Sequence, residues 1–236
     1  MGQVNTQGID LAESFFKAHP SIFCLTGAGC SLPSGIPTYR RTNGDWQGRQ
    51  PINHADFLSK FSTRQRYWAR SFLGWPTMTQ AEPNPAHSAI TWLHHRKHLS
   101  TVLTQNVDSL HEKSGLTRVQ HLHGDLSFVS CMDCGKRISR DDMQNELSAL
   151  NPNLSIQPQP YRPRPDGDTE VPEAFVRAFK IPSCQNCGGD LKPEVVFFGD
   201  RVPPDIISNA FEALEAADAL LVIGSSLKIF SGYRFC

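Results

Sequence analysis

The sequence predicts an α/β protein, a doubly wound parallel sheet with a small domain inserted in it. Three features of the 236 residues carry that expectation. Short apolar runs stop at glycine, helical patterns lie between them, and two Cys-x-x-Cys pairs bracket a long polar segment that breaks the alternation.

Ser21 to Thr26 is an apolar run ending at Gly27-Ala28-Gly29, a buried strand opening into a glycine-rich loop. Residues 48–75 look helical and aromatic-rich. Asn84-Pro85 sets an N-cap and first-turn proline for a helix with Ala86, Ile90 and Leu93 on one face. The β-branched run Ser100 to Thr104 is the next strand, followed by Gln105-Asn106-Val107-Asp108 and a short helix over Ser109 to Ser114. Val119 to Leu122, Glu194 to Phe198 and Ala219 to Ile223 read as three further strands, ending at Gly124, Gly199 and Gly224. The last is apolar enough to be an inner strand buried on both faces. Between the cysteine pairs, residues 135–183 read as a short helix near Asp141 to Leu150 and an irregular loop with the proline-rich stretch Gln157 to Pro165. Strands that end in glycine loops put those loops at the carboxyl edge of a parallel sheet, where backbone N–H groups and helix N-termini converge on ligands.

Composition narrows the partners. Lys plus Arg equals Asp plus Glu at 23 each, so the chain lacks the electrostatic footprint of a dedicated nucleic-acid binder, and small molecules or peptides are expected instead. The longest apolar stretch, Ala216 to Ile223, is interrupted by Asp218 and far short of a membrane span. Met1 to Asp10 carry no signal pattern, which reads as a cytoplasmic protein. Seven cysteines, an odd number, argue for metal and free thiols over disulfides.

Four of those cysteines, Cys131, Cys134, Cys184 and Cys187, can supply all four thiolates of a tetrahedral zinc, leaving no position for water; such a metal is structural. Gly27-Ala28-Gly29 followed by Ser31 and Gly35 is a phosphate-loop candidate whose third glycine comes too late for the dehydrogenase fingerprint. A plain tight turn fits Gly-x-Gly equally well. Gln105, Asn106 and Asp108 can hold a carboxamide and ribose hydroxyls, or merely cap the next helix. His121 and His123 face opposite ways on a strand, so one enters the site; His123, nearest the strand end, is the candidate general base. Tyr67 and Arg70 stand one helical turn apart, where a guanidinium beside a phenol could receive an acidic or extended acyl group, or lie on a solvated face.

Taken together, the loop from Gly27 to Arg40, Thr104 to His111, Leu122-His123-Gly124, the four cysteines, Val195 to Gly199 and Gly224 to Leu227 occur in the order of the sirtuin family, which the chain resembles over nearly its whole length. Tyr67 to Arg70, Gly74-Trp75 and Ser231 to Phe235 look most like its class II branch. The resemblance implies a Rossmann-like NAD-binding domain over 1–124 and 190–236, with a helical insert at about 48–75, and a zinc-binding domain over 125–189. It implies an NAD-dependent protein-lysine deacylase acting on acyl-lysine proteins or peptides. In the family's reaction the acyl oxygen attacks the anomeric carbon as nicotinamide leaves, and the acyl group then passes to ADP-ribose.

By the same resemblance Gly27, Ala28, Gly29, Ser31, Ile36, Pro37, Tyr39, Arg40, Gln105, Asn106, Asp108, Gly224, Ser225 and Ser226 bind NAD. His123, with Asn106, is catalytic, while Val196, Phe197, Phe198 and Gly199 pair with an extended substrate, beside Tyr67 and Arg70. Thr38 replaces a usual acidic residue, Cys30 a usual isoleucine, and the chain ends at Cys236, before the family's final strand. A chain ending there is expected to expose apolar surface and to bind NAD weakly. Three rivals remain: a hydride-transferring dehydrogenase, a zinc-ribbon adaptor, and a mono-ADP-ribosyltransferase using the same NAD site.

Overall fold

A computed structural model describes residues 6–40, 45, 51–154, 164–167, 169 and 171–236. In chain order, helix α1 (Thr6–Ala18) leads into strand β1 (Ile22–Thr26), and α2 (His54–Ser59) and α3 (Phe61–Gln80) follow the glycine loop. Next come α4 (Pro85–His95), β2 (Leu99–Thr104), α5 (Leu110–Lys113) and β3 (Val119–His121). A second group holds β4 (Gly124–Cys131), β5 (Arg137–Ser139), α6 (Arg140–Leu150), α7 (Glu173–Ala178) and β6 (Leu191–Val195). The chain returns through α8 (Pro204–Glu215), β7 (Ala219–Ile223) and the short α9 (Phe230–Tyr233).

The larger sheet is parallel in the order β3-β2-β1-β7. The chain steps outward from β1 to β3 and then re-enters on the other side of β1, so the direction reverses between β1 and β7. An open α/β sheet binds ligands at such a reversal, beyond the carboxyl ends of the strands. Alternation along β1 feeds two cores: Ile22 and Cys24 pack with Ile90 of α4 and with Leu99 and Val102, while Phe23 and Leu25 pack with Leu103 and Ala210 of α8. Helices therefore cover both faces. The start of α4 follows its sequence signal, with the Asn84 side chain accepting from the Ala86 N–H at 2.8 Å and Pro85 in the first turn.

The smaller sheet is antiparallel, in the order β5-β4-β6. Its core is shared with α3, whose Trp68, Ala69, Phe72 and Leu73 are buried with Val129, Met143, Leu147, Val176 and Leu191. Trp68 donates from Nε1 to the Leu191 carbonyl at 3.2 Å, and the buried Arg140 guanidinium lies between the Trp68 and Trp75 rings. The helical insert read from residues 48–75 thus packs on the small sheet, and its main helix runs on through Pro76 to Gln80. Of the proline-rich stretch, residues 157–163 lie outside the described residues.

One strand expectation is corrected. The strand expected over Glu194 to Phe198 is Leu191–Val195; it belongs to the small antiparallel sheet, and Val196 to Phe198 run on beyond it. Pro193 is accepted because β6 is an edge strand, which can spare an N–H. Ala219–Ile223, apolar enough for an inner strand, lies at the sheet edge as β7, with all five residues half-buried. Among the described residues, no helix is long and apolar enough to cross a membrane.

Candidate active site

The two glycine loops at the sheet reversal touch. Gly27 N–H donates to the Ile223 carbonyl at 3.0 Å and Gly29 N–H to Gly224 at 2.8 Å. Neither contact leaves room for a side chain: a Cβ on Gly29 would sit 2.8 Å from the Gly224 oxygen, and one on Gly224, at a φ of 66°, would overlap the Cys30 nitrogen. Above them opens a cavity of about 630 Å³, whose walls come from both units. Of the sequence candidates it brings together Gly27, Ala28, Gly29, Ser31, Ile36, Tyr39, Arg40, Gln105, Asn106, Asp108, His123, Gly224, Ser225 and Ser226, and also Tyr67 and Val196 to Gly199.

Polar groups on its floor are held in order by one another. Asn106 Nδ2 donates to the Gly27 carbonyl at 3.2 Å and to Ser31 Oγ at 3.0 Å, and Ser31 in turn donates to Asp108 Oδ2 at 2.6 Å. Asp108 also accepts from the Leu110 N–H, yet burial keeps its carboxyl above the usual range. Gln105 Nε2 donates to Ser225 Oγ at 2.8 Å, which ties the end of β2 to the loop after β7. This set of amides, hydroxyls and one guanidinium around glycine backbone suits a pyrophosphate, ribose hydroxyls and a carboxamide.

His123 has a fixed tautomer. Its Nδ1 lies 2.9 Å from the Gln105 carbonyl, which can only accept, so Nδ1 carries the proton and Nε2 carries the lone pair. Nε2 lies 2.8 Å from Ser231 Oγ, and burial holds the imidazole below its ordinary pKa, hence neutral and basic at pH 7. The His123 carbonyl accepts from the Val196 N–H at 2.9 Å, so the base is tied to the far wall. His121 points the other way, to Glu112 at 2.6 Å, as period two requires.

Val196 to Gly199 form that wall. Phe198 bridges to Asn53, its carbonyl accepts from the His54 N–H at 2.9 Å, and its ring meets Tyr39 edge to face. Tyr67 packs edge to face on Phe197 beside Ile36, Ile52, Leu126 and Val195, which makes this end of the cavity apolar. Arg70 and Pro37 are not among the lining residues. Arg70 donates from Nε to the Thr169 carbonyl at 3.0 Å, because α3 turns that face toward the small unit. Thr38 lines the cavity but donates to the Arg40 carbonyl at 2.6 Å. Sequence reasoning missed Leu126, Asp166, Asp200 and Lys228, which share no motif, and gave no site role to Ser231, noted only as the start of the Ser231 to Phe235 segment.

The four cysteine sulfurs lie within 4.8 Å of one another, with Cys131 and Cys187 sulfurs 3.5 Å apart. Each pair is a tight turn closed by a glycine N–H, Gly135 to Cys131 at 3.1 Å and Gly188 to Cys184 at 2.8 Å, with both glycines in the left-handed region. Four thiolates converging from two such turns fit a structural zinc. Cys30, His87 and His111 form a second buried cluster, but its proton pattern disfavours a metal. His87 Nδ1 accepts from the Asn84 N–H at 3.2 Å, which leaves Nε2 as an N–H donor and not a ligand.

A profile of the Sir2 family matches residues 27–231. The chain belongs to the Sir2 family. This Sir2 chain is 46% identical over 224 residues to "NAD-dependent protein deacetylase 2" of Bradyrhizobium diazoefficiens, covering 94% of the chain and 81% of that relative. It is 44% identical over 226 residues to "NAD-dependent protein lipoamidase sirtuin-4, mitochondrial" of Homo sapiens, covering 94% and 71%. Among solved structures it is similar to Sir2Tm bound to a propionylated peptide, at a TM-score of 0.72 and 26% identity, covering 96% of this chain and 79% of that one. It is likewise similar to a Sir2–p53 peptide–NAD+ complex, at a TM-score of 0.73 and 25% identity, covering 96% and 80%.

Proposed function

We propose that this Sir2-family chain is an NAD-dependent protein-lysine deacylase in which His123 is the general base and Asn106 orders the floor of the site. The observation that carries the reading is a neutral, tautomer-fixed imidazole that lines the same cavity as the two glycine loops and the apolar wall. NAD, when bound, supplies the ribose that accepts the acyl group, with nicotinamide as the leaving group. Gly27 to Ser31, Arg40 and Gly224 to Ser226 would hold its phosphates and adenosine side, and Gln105, Asn106 and Asp108 its nicotinamide side. Pro37, next to Ile36, would fix the backbone of that loop. His123 Nε2 takes a proton from a sugar hydroxyl, and the Gln105 carbonyl stabilises the imidazolium through Nδ1–H. An extended acyl-lysine peptide would lie along Val196 to Gly199. The apolar lining at Tyr67 favours an aliphatic acyl chain, with Arg70 acting through the small unit. Cys131, Cys134, Cys184 and Cys187 would hold zinc, and the zinc-binding unit expected over 125–189 would extend through β6 to Val195, the last strand of its sheet.

Mass spectrometry of reactions with NAD and acetyl-, succinyl- and lipoyl-lysine peptides tests this. Free lysine, nicotinamide and O-acyl-ADP-ribose are expected in equal amounts, with the acidic acyl group the poorest. A folded His123→Ala protein should lose about 10²- to 10⁴-fold in rate. ADP-ribose on protein without acyl release would replace the reading by the transferase one.

A further inference from the structure

Building on the cofactor reading, we propose that Ser231 is a positioning residue for the free base: its hydroxyl caps the Nε2 lone pair of His123 and marks where a sugar hydroxyl of the cofactor must arrive. The Gln105 carbonyl takes the Nδ1 proton, so a neutral His123 has one in-plane lone pair, and Ser231 Oγ lies on it at 2.8 Å. A hydroxyl that gives up its proton to Nε2 must approach along the same line, to about 2.6–3.2 Å. Two donors cannot share that lone pair. The serine therefore leaves when the sugar arrives.

The backbone around it is held. Phe235 is buried against Phe23 and Phe211, with ring centroids 6.2 and 4.9 Å away. A Cβ on Gly232 would lie 2.5 Å from Gln105 Oε1, so α9 sits directly on the residue whose carbonyl sets the tautomer. Release is then a change of the Ser231 rotamer and not a movement of the helix. Gln105 Nε2 is occupied by Ser225, and Asn106 Nδ2 by Gly27 and Ser31, which leaves Ser231 to cap the base.

Imidazole ¹⁵N spectra of His123, with and without ADP-ribose, test the contact in the wild type, Ser231→Ala and Ser231→Thr. In the free proteins the Nε2 resonance should move in Ser231→Ala and stay near its wild-type position in Ser231→Thr. With ADP-ribose bound, wild type and Ser231→Ala should converge. Calorimetry should show ADP-ribose binding about threefold to tenfold tighter in Ser231→Ala, the size of one exchanged hydrogen bond. Superimposable free spectra of wild type and Ser231→Ala, or no gain in affinity, would overturn the proposal. Failure of the wild type to bind ADP-ribose would overturn the cofactor reading and the displacement with it, while the free-protein spectra alone would judge the contact.

Discussion

Three histidines are buried so that their neutral form is favoured. Burial lowers the pKa of His87 and His123 and takes His111 down to about 4. Each is near 6.5 in an unfolded chain. As pH falls from 6.5 toward 4 the unfolded chain takes up protons that the folded chain refuses, so stability falls with pH. His121 runs the other way: burial opposes its charge, but the hydrogen bond and charge of Glu112 raise it overall, so its contribution is lost as pH rises. Urea melts should show a lower midpoint at pH 5 than at pH 7.5, and a smaller drop for His111→Gln. An equal drop in both proteins would refute the assignment to His111. For His123 the same direction puts the acid limb of kcat/KM below 6.5, which a pH–rate profile checks. That only one of His121 and His123 enters the site was legible from strand period, and that it is His123 from its place beside Gly124 at the strand end. The inward turn of Arg70 was not, because helical spacing says which residues share a face and not what that face meets.

Among the elements, the glycine contacts are the most demanding. Gly224→Ala adds a Cβ at a φ of 66° against the Cys30 backbone, which neither rotamer change nor a flexible neighbour can relieve. We expect about 1–3 kcal/mol of destabilisation and at least a tenfold loss of ADP-ribose affinity, read by thermal melting and calorimetry. Wild-type affinity in this variant would show that the two loops need not touch. β1 and β7 could be read from the sequence because each is an apolar run closed by glycine, and β2 because it is β-branched. β4 and β6 were hidden for opposite reasons: Gly124–Cys131 mixes polar residues into a half-buried strand, and Leu191–Val195 carries a proline. The more apolar Val195 to Phe198 drew the strand assignment, although those residues are apolar because they wall the cavity.

At the scale of the molecule, the small unit is not an appendage. Cys131 and Cys184 belong to the same buried cluster as Trp68, Tyr67 and Phe197, so the knuckles, α3 and the apolar end of the cavity form one packed body. Binding energy at a structural zinc is also folding energy. Removal of the metal should therefore disturb the apolar end of the cavity as well as the small sheet. Chelation is expected to shift tryptophan emission to the red, as Trp68 is 1% exposed, and to abolish acyl release. A zinc-free protein with unchanged emission and melting temperature would contradict this. The joint core could not be read from the sequence, since α3 and the cysteine turns are far apart along the chain and only packing joins them.

The order β3-β2-β1-β7 also has a consequence for how the chain reaches its folded state. β1 can pair with β2 once the first half of the chain exists, but its other edge waits for β7, and the Ser21–Asp218 contact beside that pairing spans 197 residues. Gly27 and Gly29, early in synthesis, find their carbonyl partners only at Ile223 and Gly224. Until then the first strand keeps an open apolar edge on the ribosome, a surface for chaperones or for mispairing. Closure over so long a separation is entropically slow. The first glycine loop is thus among the first segments made and among the last to take its shape.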